Sequence, residues 1–176
     1  MYYDYVDNIY QLGLKLQLGV LNIFYEVNGM AKQELNKQLN ELVATWSVLY
    51  TKLHNFHWYV NGPSFFTLHT KFEELYNEVT LNLDEVAERI LSRGGKPVAT
   101  LSEHLELSII KEATGKETTE EMVQSTISDF ETIMKALKTA METAAEEGDD
   151  RTEDLLNANY QSLEKHAWML NAFLGN

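Results

Sequence analysis

A chain of 176 residues with 27 acidic and 14 basic side chains, a formal charge of −13, can bury one substantial core. It is too acidic to hold nucleic acid unless its basic residues are segregated. It has no cysteine, which excludes disulfides and thiolate metal sites, and only 2 prolines and 9 glycines, which permits long helices.

Residues 1–29, MYYDYVDNIYQLGLKLQLGVLNIFYEVNG, are rich in Tyr, Leu and Asn and differ from the rest of the chain. Their acidic start and the lack of a small-residue cleavage site argue against a secretory signal. Gln11, Lys15 and Gln17 interrupt the apolar run and argue against a membrane span. The stretch reads as an extra amphipathic helix. A second reading starts the native protein at Met30, because Glu26-Val27 can be encoded by bases that resemble a ribosome-binding sequence.

A first scaffold helix is expected from about Gln33 to Tyr59, where Leu35, Leu39, Leu42, Val43, Trp46, Leu49, Leu53 and Phe56 recur at three and four. Asn61-Gly62-Pro63 turns the chain, which leaves His57 on the last turn and His54 one turn earlier, on a packing or surface position. In a second helix, from Phe65 to Arg93, Phe65, Leu68, Phe72, Leu75, Val79, Leu83, Val86 and Ile90 fall within an arc of roughly 80°. Lys71, Glu74, Glu78 and Glu85 lie opposite and are expected in solvent. Gly94-Gly95 caps this helix, with Pro97 beyond.

Residues 96–117 form a long connection with a short helix around Ser102–Ile109 and a surface His104. A third helix, from Thr119 to Glu146, starts on a Thr118/Glu121 capping box. A fourth, from Asp150 to Phe173, starts on a box-like Asp150/Glu153 and buries Leu155, Leu156, Leu163, Trp168 and Leu170, with His166 as core or surface. The expected fold is all-α: a four-helix bundle whose long crossover makes the second and third helices parallel.

The second helix carries a further pattern. With His69 at zero, Glu73, Asp84 and Glu88 lie at roughly 40°, 60° and 100°, so four donor residues share one face beside the core stripe. Small Thr80 and Ala87 share that face and permit another helix to come close. Glu73 and Asp84 are about 16 Å apart along the axis, far too distant for one metal with bonds near 2 Å. Yet the pairs His69/Glu88 and Glu73/Asp84 share one midpoint, between residues 78 and 79. A second copy of the helix, antiparallel across a two-fold axis there, would set His69 and Glu73 of one chain against Asp84 and Glu88 of the other. That ligand set suits iron, manganese or zinc. The alternative is a solvated face with i, i+4 polar pairs.

His57-Trp58, Gly62, Phe65 or Phe66, His69, Glu73, Asp84 and Glu88-Arg89, at these spacings, resemble the signature of the Dps family, the miniferritins. The resemblance runs from about residue 31 to 174 and makes 30–176 a ferritin-like Dps domain, with 1–29 as an N-terminal extension; AKQELNKQLNELVA reads like an ordinary family N-terminus. Many members carry Asp where this chain has Glu73, which keeps the carboxylate but alters its reach. No Glu-x-x-His occurs in the chain, unlike the in-bundle di-iron sites of ordinary ferritins.

The resemblance implies a hollow dodecamer that binds Fe(II) at subunit interfaces, oxidises it preferentially with hydrogen peroxide, stores ferric mineral in its cavity and protects against oxidative stress. His57, His69 and Glu73 would come from one subunit, and Asp84 and Glu88 from its neighbour. It places an acidic three-fold entry pore at Asp149, Asp150 and Asp154, which could instead only cap a helix. Trp58 is implied as an electron-transfer neighbour of the site, although core packing is the commoner use of Trp. The implied location is cytoplasmic, with or without nucleoid association, and with no membrane contact. The alternative function is DNA compaction, but only Lys32 and Lys37 sit near the matching N-terminal region and the C-terminal AFLGN has no basic residue, so direct DNA binding is not expected.

Overall fold

The computed structural model describes the backbone of residues 2–175 and the side chains of residue 29 and residues 32–175. Among these, all regular structure is helical: α1 Tyr2–Tyr59, α2 Phe65–Ser92, α3 Leu101–Leu107, α4 Thr119–Glu147 and α5 Asp150–Leu174. Helix α1 is assigned from Tyr2 and not from Gln33; no proline stands in that stretch, and isolated glycines weaken a helix without breaking it. The amphipathic reading of residues 1–28 concerns side chains outside the described residues. Two compact units divide the chain, Met1–Glu34 and Leu35–Asn176. The second holds the bundle.

Its core is built from the stripes expected. Trp46 and Phe56 of α1, Phe72 of α2 and Phe130 of α4 are fully buried, surrounded by Leu35, Leu39, Leu42, Leu49, Leu53, Leu68, Leu75 and Ile90. Each such side chain removed from water contributes about 1.5–3 kcal/mol before conformational entropy is counted. Trp168 departs from its expected place: it is 68 % exposed, because Leu163, Ala167 and Leu170 already fill the buried face of α5.

The helix ends follow local chemistry. Thr118 and Glu121 make the expected reciprocal capping box. A second box, Thr100 with Glu103, starts α3 at Leu101, one residue before the expected position. Helix α5 is capped by Asp149, whose side chain accepts from the Thr152 backbone N–H, so the Asp150/Glu153 start is displaced by one residue. At the exit of α2, Gly94 adopts φ 76°, and a Cβ on Gly95 would stand 2.7 Å from Asn36 Nδ2 and 2.8 Å from Ile90 Cγ2. Only glycine allows the chain to pass that close to α1.

Polar contacts tie the helices laterally. Glu78, expected in solvent, is half-buried: it accepts from Ser162 Oγ, and its Oε2 lies 2.8 Å from His166 Nε2. Helix α5 covers that flank of α2, a placement outside the reach of α2's own periodicity. The imidazole bond holds the Glu78 carboxyl below its ordinary pKa, against burial, with Ser162 assisting. His104 is half-buried too and lies 3.3 Å from the Val98 carbonyl, which anchors the crossover to itself.

One ion pair is internal. Lys52 Nζ of α1 lies 2.6 Å from Asp129 Oδ2 of α4, with both side chains almost fully buried. Burial pushes the Asp129 carboxyl above its ordinary pKa, and Lys52 only partly offsets this. Removing the lysine alone leaves a buried carboxylate without its counter-charge. Lys52→Met is expected to cost about 3–5 kcal/mol at pH 7, and Lys52→Met with Asp129→Leu to recover most of it. A carboxyl with a raised folded pKa destabilises only once ionised, so the penalty of the single variant is absent below the unfolded pKa and grows as pH rises. Thermal unfolding at pH 5 and pH 7 checks this; equal penalties at the two values would refute it.

Candidate metal centre

The site starts where α1 ends. The last carbonyls of a helix lack intrahelical partners, and His57 lies in that last turn. Its carbonyl accepts from His69 Nδ1 at 2.8 Å, while the His69 carbonyl accepts from His57 Nδ1 at 2.8 Å. The rings stack with centroids 3.7 Å apart and an interplanar angle of 20°. Phe65 stacks on the other side of His69 at 4.9 Å.

This reciprocal lock decides the tautomers. A carbonyl only accepts, so both Nδ1 atoms must carry hydrogen, and each neutral ring keeps its lone pair on Nε2. That is the form in which imidazole binds a metal, with the ring held in place through its other nitrogen. His57 is 8 % exposed and His69 half-buried, so the lone pairs belong to oriented rings.

Glu73, Asp84 and Glu88 project from α2 into solvent. Among the described residues none of the three forms an ion pair within the chain, and no three His, Asp or Glu gather as a metal cluster. One chain therefore brings together His57 and His69 and keeps Asp84 and Glu88 apart from them. The donor chemistry fits a hard, redox-active divalent ion: two fixed imidazoles with carboxylate oxygens on the same face.

Around the two histidines lies an aromatic cluster. Tyr76 stacks on His54 at 3.8 Å and meets His57 edge-on at 5.4 Å and 89°. His54 is tied through Nδ1 to the Tyr50 carbonyl at 3.0 Å. Burial, and then the neighbouring Glu73 carboxylate, hold the Tyr76 phenol above its ordinary pKa. Trp58 is 66 % exposed beside His54, not buried in the core, since it lies on the outer side of the last turn of α1. Sequence reasoning misses Tyr76; its spacing three residues after Glu73 is the clue that could have found it.

Arg89, beside Glu88, turns the other way. It donates through Nε to Thr152 Oγ1 at 2.7 Å and through Nη2 to Asp149. Arg93 donates to Asp149, to Glu147 at 2.7 Å and to Asn36 at 3.0 Å. Burial alone would raise the Asp149 carboxyl, but the bonds from Thr152 and the two guanidinium charges outweigh it and hold the pKa low. Both Asp149 oxygens are thus committed inside the chain, while Asp150 and Asp154 are exposed.

Comparison with known proteins places the chain and its fold. Residues 36–176 match the family model of the ferritin-like domain. DNA protection during starvation protein 2 of Bacillus anthracis is 59 % identical over 144 residues, which covers 80 % of this chain and 99 % of that protein. The crystal structure of a Dps protein from Bacillus brevis superposes with a TM-score of 0.81 at 54 % identity, covering 82 % of this chain and 97 % of the other. A Dps protein from Vibrio cholerae, described as a member of a broad superfamily of ferritin-like diiron-carboxylate proteins, gives 0.80 at 36 % identity, covering 82 % and 91 %. By the family model, the relatives and the shared all-helical fold, the chain belongs to the Dps proteins of the ferritin-like family.

Proposed function

We propose that this protein stores iron and detoxifies it as a ferroxidase, oxidising Fe(II) at di-iron sites shared between two subunits and holding ferric mineral inside a dodecameric shell. The observation that carries the reading is the His57–His69 lock, which presents two Nε2 lone pairs on a face whose carboxylates have no ion-pair partner among the described residues. His57, His69 and Glu73 serve from one subunit, and Asp84 and Glu88 from the two-fold partner. Carboxylate oxygens favour Fe(III) over Fe(II), so the site itself promotes oxidation, while imidazole retains the ferrous substrate. Hydrogen peroxide is the preferred oxidant. It takes one electron from each of two Fe(II) ions and, with two protons, leaves as water without releasing a hydroxyl radical. Direct DNA binding is not part of this function: the formal charge is −13 and the chain has only 14 basic side chains to offset its 27 acidic ones.

Complementation tests the shared site. His69→Ala with Glu73→Ala, and separately Asp84→Ala with Glu88→Ala, should each assemble but lose rapid ferroxidation, because every site lacks half its ligands. In a mixed dimer, one site has both halves damaged and the other has both intact. Random co-assembly should therefore restore about a quarter of the sites. Ferric absorbance after addition of Fe(II) and peroxide reads the recovery. Mixed oligomers, verified by mass spectrometry, that show no more activity than the parents would sink the shared site.

The proposed entry route is an acidic pore formed by Asp149, Asp150 and Asp154. Asp149 holds the start of α5 through Arg89 and Arg93, so it acts there as the fixed rim, and the exposed Asp150 and Asp154 draw the cation. Asp150→Asn with Asp154→Asn should slow iron uptake several-fold in an intact oligomer, most clearly at low ionic strength. Asp149→Asn should lower the unfolding temperature as well. Unchanged uptake in the double variant would remove the pore.

A further inference from the structure

We propose that Asn61 is a site of spontaneous deamidation, a covalent modification of the turn between α1 and α2. It stands apart from the metal reading and needs no reagent but water. The Gly62 backbone nitrogen attacks the Asn61 side-chain carbonyl carbon. The new C–N bond closes a succinimide ring, and the side-chain nitrogen leaves as ammonia, taking up the proton that the Gly62 nitrogen gives away. One water then opens the ring. Opening at the side-chain carbonyl leaves aspartate, and opening at the main-chain carbonyl leaves isoaspartate. Either product puts a carboxylate where the turn held a neutral amide. Isoaspartate also routes the main chain through the side-chain carboxyl, which adds a methylene between Tyr59 and Phe65.

The turn presents both reacting groups. Asn61 and Gly62 are exposed and lie outside any helix, between the end of α1 at Tyr59 and the start of α2 at Phe65. Gly62 has no Cβ to hinder the approach of its nitrogen, and a Cβ built there would meet no atom within 4 Å, so the ring has open space to form. The attacking nitrogen is uncommitted: among the described residues the Gly62 N–H makes no hydrogen bond. A helix would have engaged it in its ladder. The carbonyls on either side are held instead. The Asn61 carbonyl accepts from Thr119 Oγ1 at 2.9 Å, and the Gly62 carbonyl accepts from the Phe65 N–H at 3.1 Å. The Thr119 bond falls on the peptide whose nitrogen must lose its proton. It draws charge toward the oxygen and stabilises the deprotonated amide. The Asn61 carboxamide itself makes one solvent-exposed bond, from Nδ2 to the Tyr59 carbonyl at 3.2 Å. Little else holds it back from its neighbour.

The test incubates the assembled protein in mildly alkaline buffer and reads the peptide carrying residue 61 by mass spectrometry. The chain's other Asn-Gly, Asn28-Gly29, is read on a separate peptide. The residue 61 peptide should gain the mass that exchanges NH2 for OH and become a substrate for an isoaspartyl methyltransferase. Its conversion should speed up with hydroxide concentration and run within a few-fold of the rate in the same protein unfolded in urea. Asn61→Gln, whose longer side chain must close a larger ring, should lose the methyl labelling of that peptide while assembling normally. If the folded protein keeps its mass at residue 61 while the urea-unfolded protein converts, the turn shields the side chain and the inference is wrong. Undiminished labelling of that peptide in Asn61→Gln would place the modification on another residue and overturn it as well.

Discussion

The exchange of two hydrogen bonds between His57 and His69 is the interaction on which the rest depends. It closes the end of α1 onto the start of α2, and it orients both rings. A helix end has carbonyls to spare, and an imidazole has one nitrogen more than a metal needs. Each group satisfies the other's excess, so fold and site are served by the same two bonds. The turn at Asn61, Gly62 and Pro63 only has to return the chain within reach; Gly62 does so at φ 85°.

Around that lock the molecule spends its charges in two ways. Lys52–Asp129 and the Arg89, Arg93, Asp149, Glu147 cluster are inward, short and committed to holding helices together. Glu73, Asp84 and Glu88 point outward without an ion-pair partner among the described residues. Asp84 and Glu88, one turn apart, repel each other in a lone chain, and a cation beside them relieves the repulsion.

Much of the architecture was legible in the sequence because a helix writes its buried face at a fixed period. The stripe from Leu68 to Ile90, the capping box at Thr118 and the stop before Gly94 all follow from one-helix rules. The common face of His69, Glu73, Asp84 and Glu88 is a one-helix property too. What was not legible depends on a second element. Glu78 looked solvated until α5 brought Ser162 and His166 to it. Trp58 and Trp168 are apolar yet exposed, because the positions facing the core were already filled. Asp149 outcompeted Asp150 as the cap because Arg89 of α2 and Arg93 at its C-cap hold it there. The locked tautomers had no signature at all, since a backbone carbonyl has no letter.

Helix α2 runs unbroken from Phe65 to Ser92, and this constrains length as strictly as identity. Loops absorb insertions because their ends can readjust. Between Glu73 and Asp84 there is no loop. Removing one residue from that interval would turn every later side chain by about 100° and draw it back about 1.5 Å. Asp84 and Glu88 would leave the face that holds His69 and Glu73, and Val86 and Ile90 would leave the core with them. The interval is thus a ruler cut into the chain, and it allows changes of letter far more readily than changes of count.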